Sequence, residues 1–394
     1  LRPLCWSLSE DGLLTVGSET GMAELEPSRV IERGAVAPGR LIAVDLAEGG
    51  FLRETEMLDQ LAAKHPYEDW LKNVREIESE VGPGPEPLLF EDAERARRQA
   101  AAGMTMEEIE IILSPMAEDA KEAIGSMGDD SPLAVLSNRY RPISHYFRQN
   151  FSQVTNPPID PLREGRVMSL KTRFKNLGNV LEEDAAQTDV FVLNSPVLTN
   201  GMYDRLRAIL GEGVALIDVT LPAADATGSG AGLKAALDRI RAEAEAAVSE
   251  GGAQHLILTD ERQNERFAPV PMALAVGAVH THLTRKGLRT YCSLNARTSE
   301  VTDPHALAVL VGLGATTVNP YLAFETVAAR TERNLAGMSP EQKARNMKTA
   351  FDAGLLKIMS KMGISVVSSY RGGCNFEVLG LSRAVASEYL GGVT

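Results

Sequence analysis

The sequence predicts an α/β protein whose main domain is a Rossmann-like, doubly wound parallel sheet, preceded by a β-rich tail. Short apolar runs without polar alternation recur between residues 189 and 370, and helical patterns separate them. Strands of this kind are buried on both faces, as in a parallel sheet covered by helices. Gly252, Gly287 and Gly363 each follow a predicted helix, where glycine favours the left-handed backbone that ends it.

The β-rich tail occupies residues 1–62 and contains two predicted hairpins. A turn at residues 10–12 separates the apolar runs CWSLS and LLTVG, and Gly49 and Gly50 mark a second turn within GRLIAVDLAEGGFL. Two hairpins do not make a domain, so we interpret the tail as part of a larger one. A helical linker, residues 63–105, follows, and VGPGPEP interrupts it because its Gly and Pro residues prevent regular structure.

The main domain is predicted to span residues 106–394. Its predicted strands are PLAVLS from Pro132, DVFVL from Asp189, VALIDVT from Val214, HLILTD from His255, LRTYCSL from Leu288, GATTVNPY from Gly314 and ISVVSSY from Ile364. Its predicted helices begin at Met202 and Pro304 and span 233–248, 270–286 and 343–362.

Composition narrows the classes of function. The chain has 394 residues, 44% of them hydrophobic, which is enough for a sizeable core. Its formal net charge of −13 argues against nucleic acid or an anionic membrane as a partner. No apolar run approaches the roughly 18 residues that span a bilayer, and LRPLCWSLSEDG lacks the features of a signal peptide. The expected compartment is the cytoplasm.

No metal site is predicted. Cys5, Cys292 and Cys374 are too far apart in sequence to form a local metal or cluster motif, so we interpret them as structural. His280 and His282 are two residues apart on a predicted helix and point about 200° away from each other, unlike a metal-binding i, i+4 pair.

A glycine-rich loop, Thr227 to Gly232, lies between the strand VALIDVT and a helix. Its N–H groups could hold a phosphate at the helix N-terminus. The spacing is not GxGxxG, because Leu233 takes the place of the third glycine. The alternative is a flexible loop in which Thr227 or Ser229 caps the helix.

A polar loop within QVTNPPIDPLREGRVMSL is a second candidate site. Pro157 and the proline after it fix φ near −65° and remove two backbone donors, which predicts a stiff loop between Thr155 and Asp160. A stiff loop of this kind usually lines something. The alternative is a rigid connector whose Asp160 and Arg163 pair with each other.

Two further candidates lie at predicted edges of the sheet. A turn before PLAVLS consists of Met127, Gly128, Asp129 and Asp130. Arg371 follows ISVVSSY at its predicted carboxyl end, where doubly wound sheets bind ligands, and would face a carboxylate, a phosphate or a neighbouring domain. Tyr321 and Glu325 lie at a similar edge.

Six further blocks of sequence are informative when they are taken together, and they are spread over most of the chain. They are SPMAEDAKEAIGSMGDDSPLAVLS from Ser114, LNSPVLT from Leu193, LILTDER from Leu256, AVGAVHTHL from Ala275, VNPYLAFET from Val318 and AGLLKIMSKMGISVVSSYRGG from Ala353. In this order, and with the polar loop, they resemble the central domain of the glutamine-dependent glutamate synthase large subunit. GMAELEPSRVIERGAVAPGRLIAVD resembles the last strands of that family's amidotransferase domain, an amino-terminal-nucleophile hydrolase fold.

The resemblance implies a role for the chain within a larger enzyme. That enzyme hydrolyses glutamine, channels the ammonia to 2-oxoglutarate, and reduces 2-iminoglutarate to glutamate at FMN, which receives electrons from a 3Fe-4S cluster. This chain would connect the two active sites and line the passage, whose apolar walls keep ammonia neutral. The residues that would line it or face the flavin domain are Met127, Gly128, Asp129, Asp130, Thr155, Asn156, Pro157, Asp160, Arg163 and Arg371.

The resemblance assigns no catalytic residue, cofactor or metal to this chain itself, so we expect it to be inactive alone. Its implied partners are the rest of the amidotransferase domain and the FMN barrel of the same polypeptide. A small NADPH-oxidising subunit and ferredoxin both stay open as electron donors. The alternative is a free-standing α/β module without enzyme activity that binds a nucleotide or small molecule at the glycine-rich loop and the Arg371 edge.

Overall fold

The computed structural model describes residues 4–82, 84–123, 132–150, 161–175 and 177–393. The chain divides into two units, Leu1–Lys72 and Asn73–Thr394. The first unit contains β1 (Leu4–Ser9), β2 (Leu14–Gly17), β3 (Val30–Val36), β4 (Ala43–Asp45), β5 (Gly50–Leu52), α1 (Glu54–Ala63) and α2 (Tyr67–Leu71).

Both predicted hairpins of the first unit are confirmed. β1 pairs antiparallel with β2 and β3, and β4 pairs antiparallel with β5. Trp6 on β1 is the centre of this small unit, because its ring meets the ring of Phe51 with 4.8 Å between centroids. Gly34 on β3 lies against the same indole, and a Cβ at that position would be 2.8 Å from Trp6 Cζ2. The close approach explains why glycine stands there.

The second unit holds the remaining elements. Its strands are β6 (Arg75–Glu76), β7 (Phe147–Gln149), β8 (Thr172–Phe174), β9 (Phe191–Leu193), β10 (Val214–Asp218), β11 (Thr220–Pro222), β12 (His255–Thr259), β13 (Phe267–Pro269), β14 (Ser293–Arg297), β15 (Thr317–Asn319) and β16 (Phe376–Val378). Its helices are α3 (Glu78–Val81), α4 (Asp92–Ala101), α5 (Met106–Glu108), α6 (Ser114–Asp119), α7 (Pro161–Val167), α8 (Asn200–Leu210), α9 (Ala231–Ser249), α10 (Met272–Arg285), α11 (Pro304–Gly312), α12 (Tyr321–Ala329), α13 (Pro340–Met362), α14 (Val367–Tyr370) and α15 (Arg383–Tyr389).

A four-stranded parallel sheet organises this unit, which confirms the α/β class. The strand order is β10-β12-β14-β15, so the strands of this sheet lie side by side in the order in which the chain enters them. The helices α9, α10 and α11 make the crossovers between successive strands, as parallel pairing requires. Shorter pairs surround the sheet: β11 with β13, β7 with β16, and the group β6-β9-β8.

Helices cover both faces of the sheet, as predicted from apolar strands in which polar residues do not alternate. Leu256 and Leu258 on β12 are fully buried in the same hydrophobic cluster as Ile240 of α9. Ile257 points to the opposite face and belongs to a second cluster with Leu206 of α8. Each such side chain contributes roughly 1.5–3 kcal/mol by its removal from water.

Sequence signals at the helix ends explain where the long helices begin. Thr199, Asp303 and Ser339 precede α8, α11 and α13, and each side chain accepts a hydrogen bond from an N–H of the first turn. Pro304 and Pro340 then occupy the first helical positions, where no N–H is needed. Across the described residues, no helix is long and apolar enough to cross a membrane.

Two predicted strands are wrong, and a third, LRTYCSL, is displaced, because residues 289–291 form a 3-10 turn and β14 begins at Ser293. ISVVSSY forms only a bridge at Val366 and then the helix α14, whose Tyr370 is buried. PLAVLS forms a 3-10 turn, Ala134–Leu136, in which Leu136 is 70% exposed. The reason is the same in both cases: a short apolar run has no periodicity that separates a strand from a buried or short helical turn.

Candidate functional site

The structure describes two of the ten residues predicted to line the passage, Arg163 and Arg371. Arg163 lies on α7 with an exposed side chain. The other eight lie outside the described residues; they are Met127, Gly128, Asp129, Asp130, Thr155, Asn156, Pro157 and Asp160. The structure therefore describes the predicted site in two places, which are the carboxyl edge of the parallel sheet and the surroundings of Arg371.

A buried carboxylate, Asp260, follows β12 at the carboxyl edge. It accepts hydrogen bonds from Thr298 Oγ1 at 2.8 Å and from the backbone N–H and hydroxyl of Ser299 at 2.9 and 3.1 Å. Burial raises the pKa of Asp260, and the bonds from Ser299 and Thr298 oppose that rise. Since both donors follow β14, the carboxylate joins the ends of two neighbouring strands.

A second acid, Glu300, is close enough to feel the charge of Asp260. Glu300 Oε2 accepts a hydrogen bond from the backbone N–H of Met272 at 3.0 Å. Burial, and then the Asp260 carboxylate, raise the pKa of Glu300 to about 8, against the opposing effect of the Met272 N–H. Glu300 therefore holds its proton at neutral pH, which avoids a second negative charge near the buried Asp260 carboxylate.

Arg297 continues the polar network along the same edge. Its guanidinium donates to Asn319 Oδ1 at the end of β15 and to Glu261 Oε1, at 2.8 Å, after β12. The guanidinium carbon also lies 4.1 Å from the centre of the Tyr203 ring. Arg297 is 3% exposed, so these contacts supply the charge and stacking partners that its burial demands.

The chain itself occupies the end of β15, through the segment that leads into α4. Glu325 of α12 is completely buried. Its Oε2 accepts from the backbone N–H of Leu89 at 2.7 Å, and its Oε1 accepts from the N–H of Phe90 at 3.3 Å and from Arg95 Nη1 at 3.1 Å. One carboxylate thus anchors two successive amides and a cation of the linker.

A second contact fastens the same segment. Arg98 of α4 donates from Nη1 to the carbonyl of Glu261 at 3.0 Å and to the hydroxyl of Tyr321 at 3.4 Å. Its guanidinium carbon lies 4.3 Å from the centre of the Phe90 ring. Parallel α/β sheets usually bind ligands at this edge. Here the linker covers the ends of β12 and β15 instead.

Arg371 lies at the opposite edge of the sheet, so its predicted position was wrong. Gly372 lies beside Gly314, which precedes β15, and a Cβ on Gly372 would be 3.9 Å from Gly314 Cα. Arg289 is at the same amino edge, because it donates to the carbonyls of Cys292 and Gly314 at 2.7 and 2.8 Å. The error follows from treating ISVVSSY as a strand, whereas α14 carries the chain across this edge.

A histidine, His280, is hydrogen-bonded to Arg289 and feels the charge of Arg371. Arg289 Nε donates to His280 Nδ1 at 3.0 Å, which leaves the proton of a neutral imidazole on Nε2. Burial, followed by the charges of Arg289 and Arg371, lowers the pKa of His280 to about 4. Burial and the charge of Arg289 likewise lower the pKa of Arg371 to about 10.

The glycine-rich loop does not have the predicted capping. Gly230 precedes α9 with φ 79°, and no side chain caps the helix, so the predicted cap from Thr227 or Ser229 was wrong. Gly232 packs against the backbone, because a Cβ there would lie 2.1 Å from the carbonyl oxygen of Asp225. This contact explains the glycine without a phosphate.

Sequence reasoning missed several functional groups at the two edges. Asp260, Glu300, Arg95 and His280 were not singled out for these positions. A usable signal existed for Asp260, because a polar residue directly after an apolar strand of a parallel sheet lies at its carboxyl edge. Within the described residues, no group of three or more His, Cys, Asp and Glu side chains is arranged to bind a metal.

Comparison with known proteins assigns this sequence to a family. Residues 97–382 match the family model of the glutamate synthase central domain. The chain belongs to the glutamate synthase family. Residues 1–70 match a second model, the class-II glutamine amidotransferases. Both parts of the predicted resemblance are therefore confirmed, and the free-standing module is not favoured.

Relatives in this family are much longer than the chain. It is 54% identical over 393 residues to the NADPH glutamate synthase large chain of Azospirillum brasilense, an alignment that covers 99% of this chain and 26% of that protein. It is 39% identical over 412 residues to the ferredoxin-dependent glutamate synthase 2 of Synechocystis, covering 100% and 26%. The chain spans about a quarter of the length of these relatives.

Similarity to solved structures is weaker. The flavin-binding domain of baker's yeast flavocytochrome b2 aligns with a TM-score of 0.37 at 11% identity, over 71% of this chain and 90% of that one.

Proposed function

We propose that the chain is the connecting part of a glutamate synthase large subunit. The complete polypeptide would convert L-glutamine, 2-oxoglutarate and a reductant into two molecules of L-glutamate. The chain would join the glutaminase and synthase sites and line the ammonia passage, and it would not be catalytic alone. The proposal rests on the family membership and on one structural observation, the anchored linker.

The anchored linker supports a connecting role. The amidotransferase match ends at residue 70 and the central-domain match begins at residue 97, so Leu89 and Phe90 lie in the segment between them. Glu325 holds the backbone of both residues. The contact fixes the chain where it enters the central domain, as we would expect of a segment that leads from one catalytic domain to the next. The same contact covers an edge that a free-standing module would use for a ligand.

The surroundings of the polar loop support its place in the passage. Residue 150 is the last described residue before the loop, and the N–H of Asn150 donates to the carbonyl of Asn375 at 2.9 Å. Asn375 is four residues after Arg371, so the described chain just before the loop lies beside the segment that carries this arginine. We propose that Thr155 and Asn156 contact the passing ammonia and that Arg371 faces another part of the polypeptide.

FMN and a 3Fe-4S cluster belong, in this proposal, to the complete subunit. The described residues do not fit a cluster, since no group of His, Cys, Asp and Glu could hold a metal. Cys292 and Cys374 are buried, and burial raises the pKa of each thiol, which disfavours the thiolate that binds iron. We propose NADPH as the reductant, delivered through a small subunit, because the Azospirillum brasilense relative, which shares 54% identity with this chain, is named for NADPH.

Thr155→Val in the complete polypeptide tests the passage. The change removes a hydroxyl and keeps nearly the same volume. We expect glutamine-driven glutamate formation to fall by roughly fivefold relative to glutaminase activity, which corresponds to about 1 kcal/mol for one lost hydrogen bond. Synthesis from added ammonia should not change. Thr227→Val, in the exposed glycine-rich loop, is the matched control. Equal loss of both activities, or of neither, would refute the role of the loop.

A further inference from the structure

Arg289 and Arg371 lie together at the amino edge of the sheet, and among the described residues no carboxylate pairs with either of them. Arg371 donates from Nη1 to the carbonyl of Arg173 at 3.4 Å. Arg289 donates to His280 and to the carbonyls of Cys292 and Gly314. Within the described part of the chain, neither arginine pairs with a carboxylate. This arrangement is unusual. Neighbouring positive charges in a partly buried place raise the free energy of the folded state, and a chain with a net charge of −13 has many acidic side chains that could offset them.

Arg289 also determines which nitrogen of His280 carries the proton, so that the ring presents a neutral N–H donor beside Arg371. Its bond to His280 Nδ1 fixes the tautomer in which Nε2 carries the proton. The three donated bonds from Arg289 hold this guanidinium in place against the starts of β14 and β15. The imidazole therefore has a fixed orientation before any ligand arrives.

The backbone next to Arg371 is shaped to admit this imidazole. Gly372 has φ 71°, and a Cβ there would lie 2.9 Å from His280 Cε1 and 3.1 Å from His280 Nε2. The donating edge of the ring thus lies directly beside the residue after Arg371. Any larger residue at position 372 would push the ring away, so glycine is needed both for the backbone angle and for the contact.

We propose that Arg371 and His280 form a binding site for an oxyanion, a carboxylate or phosphate group. The forked guanidinium of Arg371 supplies charge-assisted hydrogen bonds, and His280 Nε2 adds a neutral one. The oxyanion comes either from a small ligand or from an acidic side chain elsewhere in the longer polypeptide. The site goes beyond the proposed function, because it does not depend on the passage of ammonia.

Binding of inorganic phosphate and of succinate, measured by isothermal titration, tests the site. We expect saturable binding of both anions to this chain of 394 residues. Arg371→Gln should weaken it by about 10-fold or more, because a charge-assisted bond is lost. Arg371→Lys, which keeps the charge and not the fork, should weaken it less. The control is Arg266→Gln, which removes the charge of an exposed arginine and should leave binding unchanged.

The same titration on the complete polypeptide distinguishes the two sources. Saturable binding in both proteins supports a small ligand. Binding to the chain that is absent from the complete polypeptide supports an acidic side chain that already fills the site. No saturable binding in either protein, or equal binding to wild type and Arg371→Gln, overturns the proposal. Thr155→Val should leave anion binding unchanged, so failure of the passage and failure of the anion site are separate results.

Discussion

Glu325 is predicted to decide whether the linker stays attached to the sheet. Its carboxylate accepts from two backbone amides, those of Leu89 and Phe90, and from Arg95. Glu325 is 0% exposed and the Arg95 side chain is 14% exposed, so water does not replace these bonds easily. Removal of one partner of a buried ion pair costs about 3–5 kcal/mol, because the other charge stays buried and unpaired.

Two substitutions separate charge from shape. Glu325→Ala should lower the free energy of unfolding by about 3–5 kcal/mol. Glu325→Gln keeps the shape and one acceptor, but its NH₂ group faces a donor, so we expect a loss of about 2 kcal/mol. The control is Glu332→Gln: Glu332 pairs with Arg330 at 2.6 Å and is 65% exposed. Because Glu332 itself is exposed to water, and Glu110 also lies 3.8 Å from Arg330, we expect this change to cost about 0–1 kcal/mol.

Urea unfolding and limited chymotrypsin digestion together measure the effect. Urea gives the change in the free energy of unfolding, and chymotrypsin reports local opening, because Leu88, Leu89 and Phe90 are cleavage sites in the anchored segment. Both Glu325 variants should be cleaved there faster than wild type and than Glu332→Gln. A Glu325→Ala variant that loses less than about 1 kcal/mol and is cleaved at the wild-type rate would refute the anchoring argument.

Two further predictions concern stability. Glu300 has a folded pKa of about 8, above its ordinary value of 4.5, so the folded state holds the proton more tightly and stability falls as pH rises between these values. Glu300→Gln should match wild type at pH 5 and exceed it by about 1–3 kcal/mol at pH 8 in urea unfolding; a constant difference at both pH values would contradict this. Gly232→Ala should cost about 1–3 kcal/mol, since its Cβ would lie 2.1 Å from the Asp225 carbonyl oxygen. Gly165→Ala on α7, where a Cβ meets nothing within 4 Å, is the matched control, and equal thermal unfolding of the two variants would argue against the contact.

Local signals in the sequence predicted most of the fold. The helix predicted from Pro304 is α11, and Gly363, predicted to end a helix, has φ 72° and ends α13. Ser339 and Pro340 begin α13 three residues before its predicted start at residue 343. Apolar strands such as HLILT are buried on both faces because helices cover the sheet on each side. The failures were short apolar runs: ISVVSSY became α14, since a run of seven residues fits a strand and a buried helical turn equally well.

The sequence predicted less of the candidate site than of the fold. Arg371 was singled out from its place after the predicted strand ISVVSSY, yet its actual position at the amino edge depends on α14. His280 and Arg289 are nine residues apart, and only the folding of α10 against the starts of β14 and β15 makes them partners.

The sequence by itself determined the family, the α/β class and the ends of the long helices, because these depend on motifs, apolar patterns and capping residues within short stretches of chain. Only the tertiary structure decided which polar groups meet. Glu325 and Leu89 are 236 residues apart in sequence, and their contact depends on how β15 delivers α12 to the linker. Long-range contacts of this kind depend on the packing of the whole sheet, which local patterns do not contain.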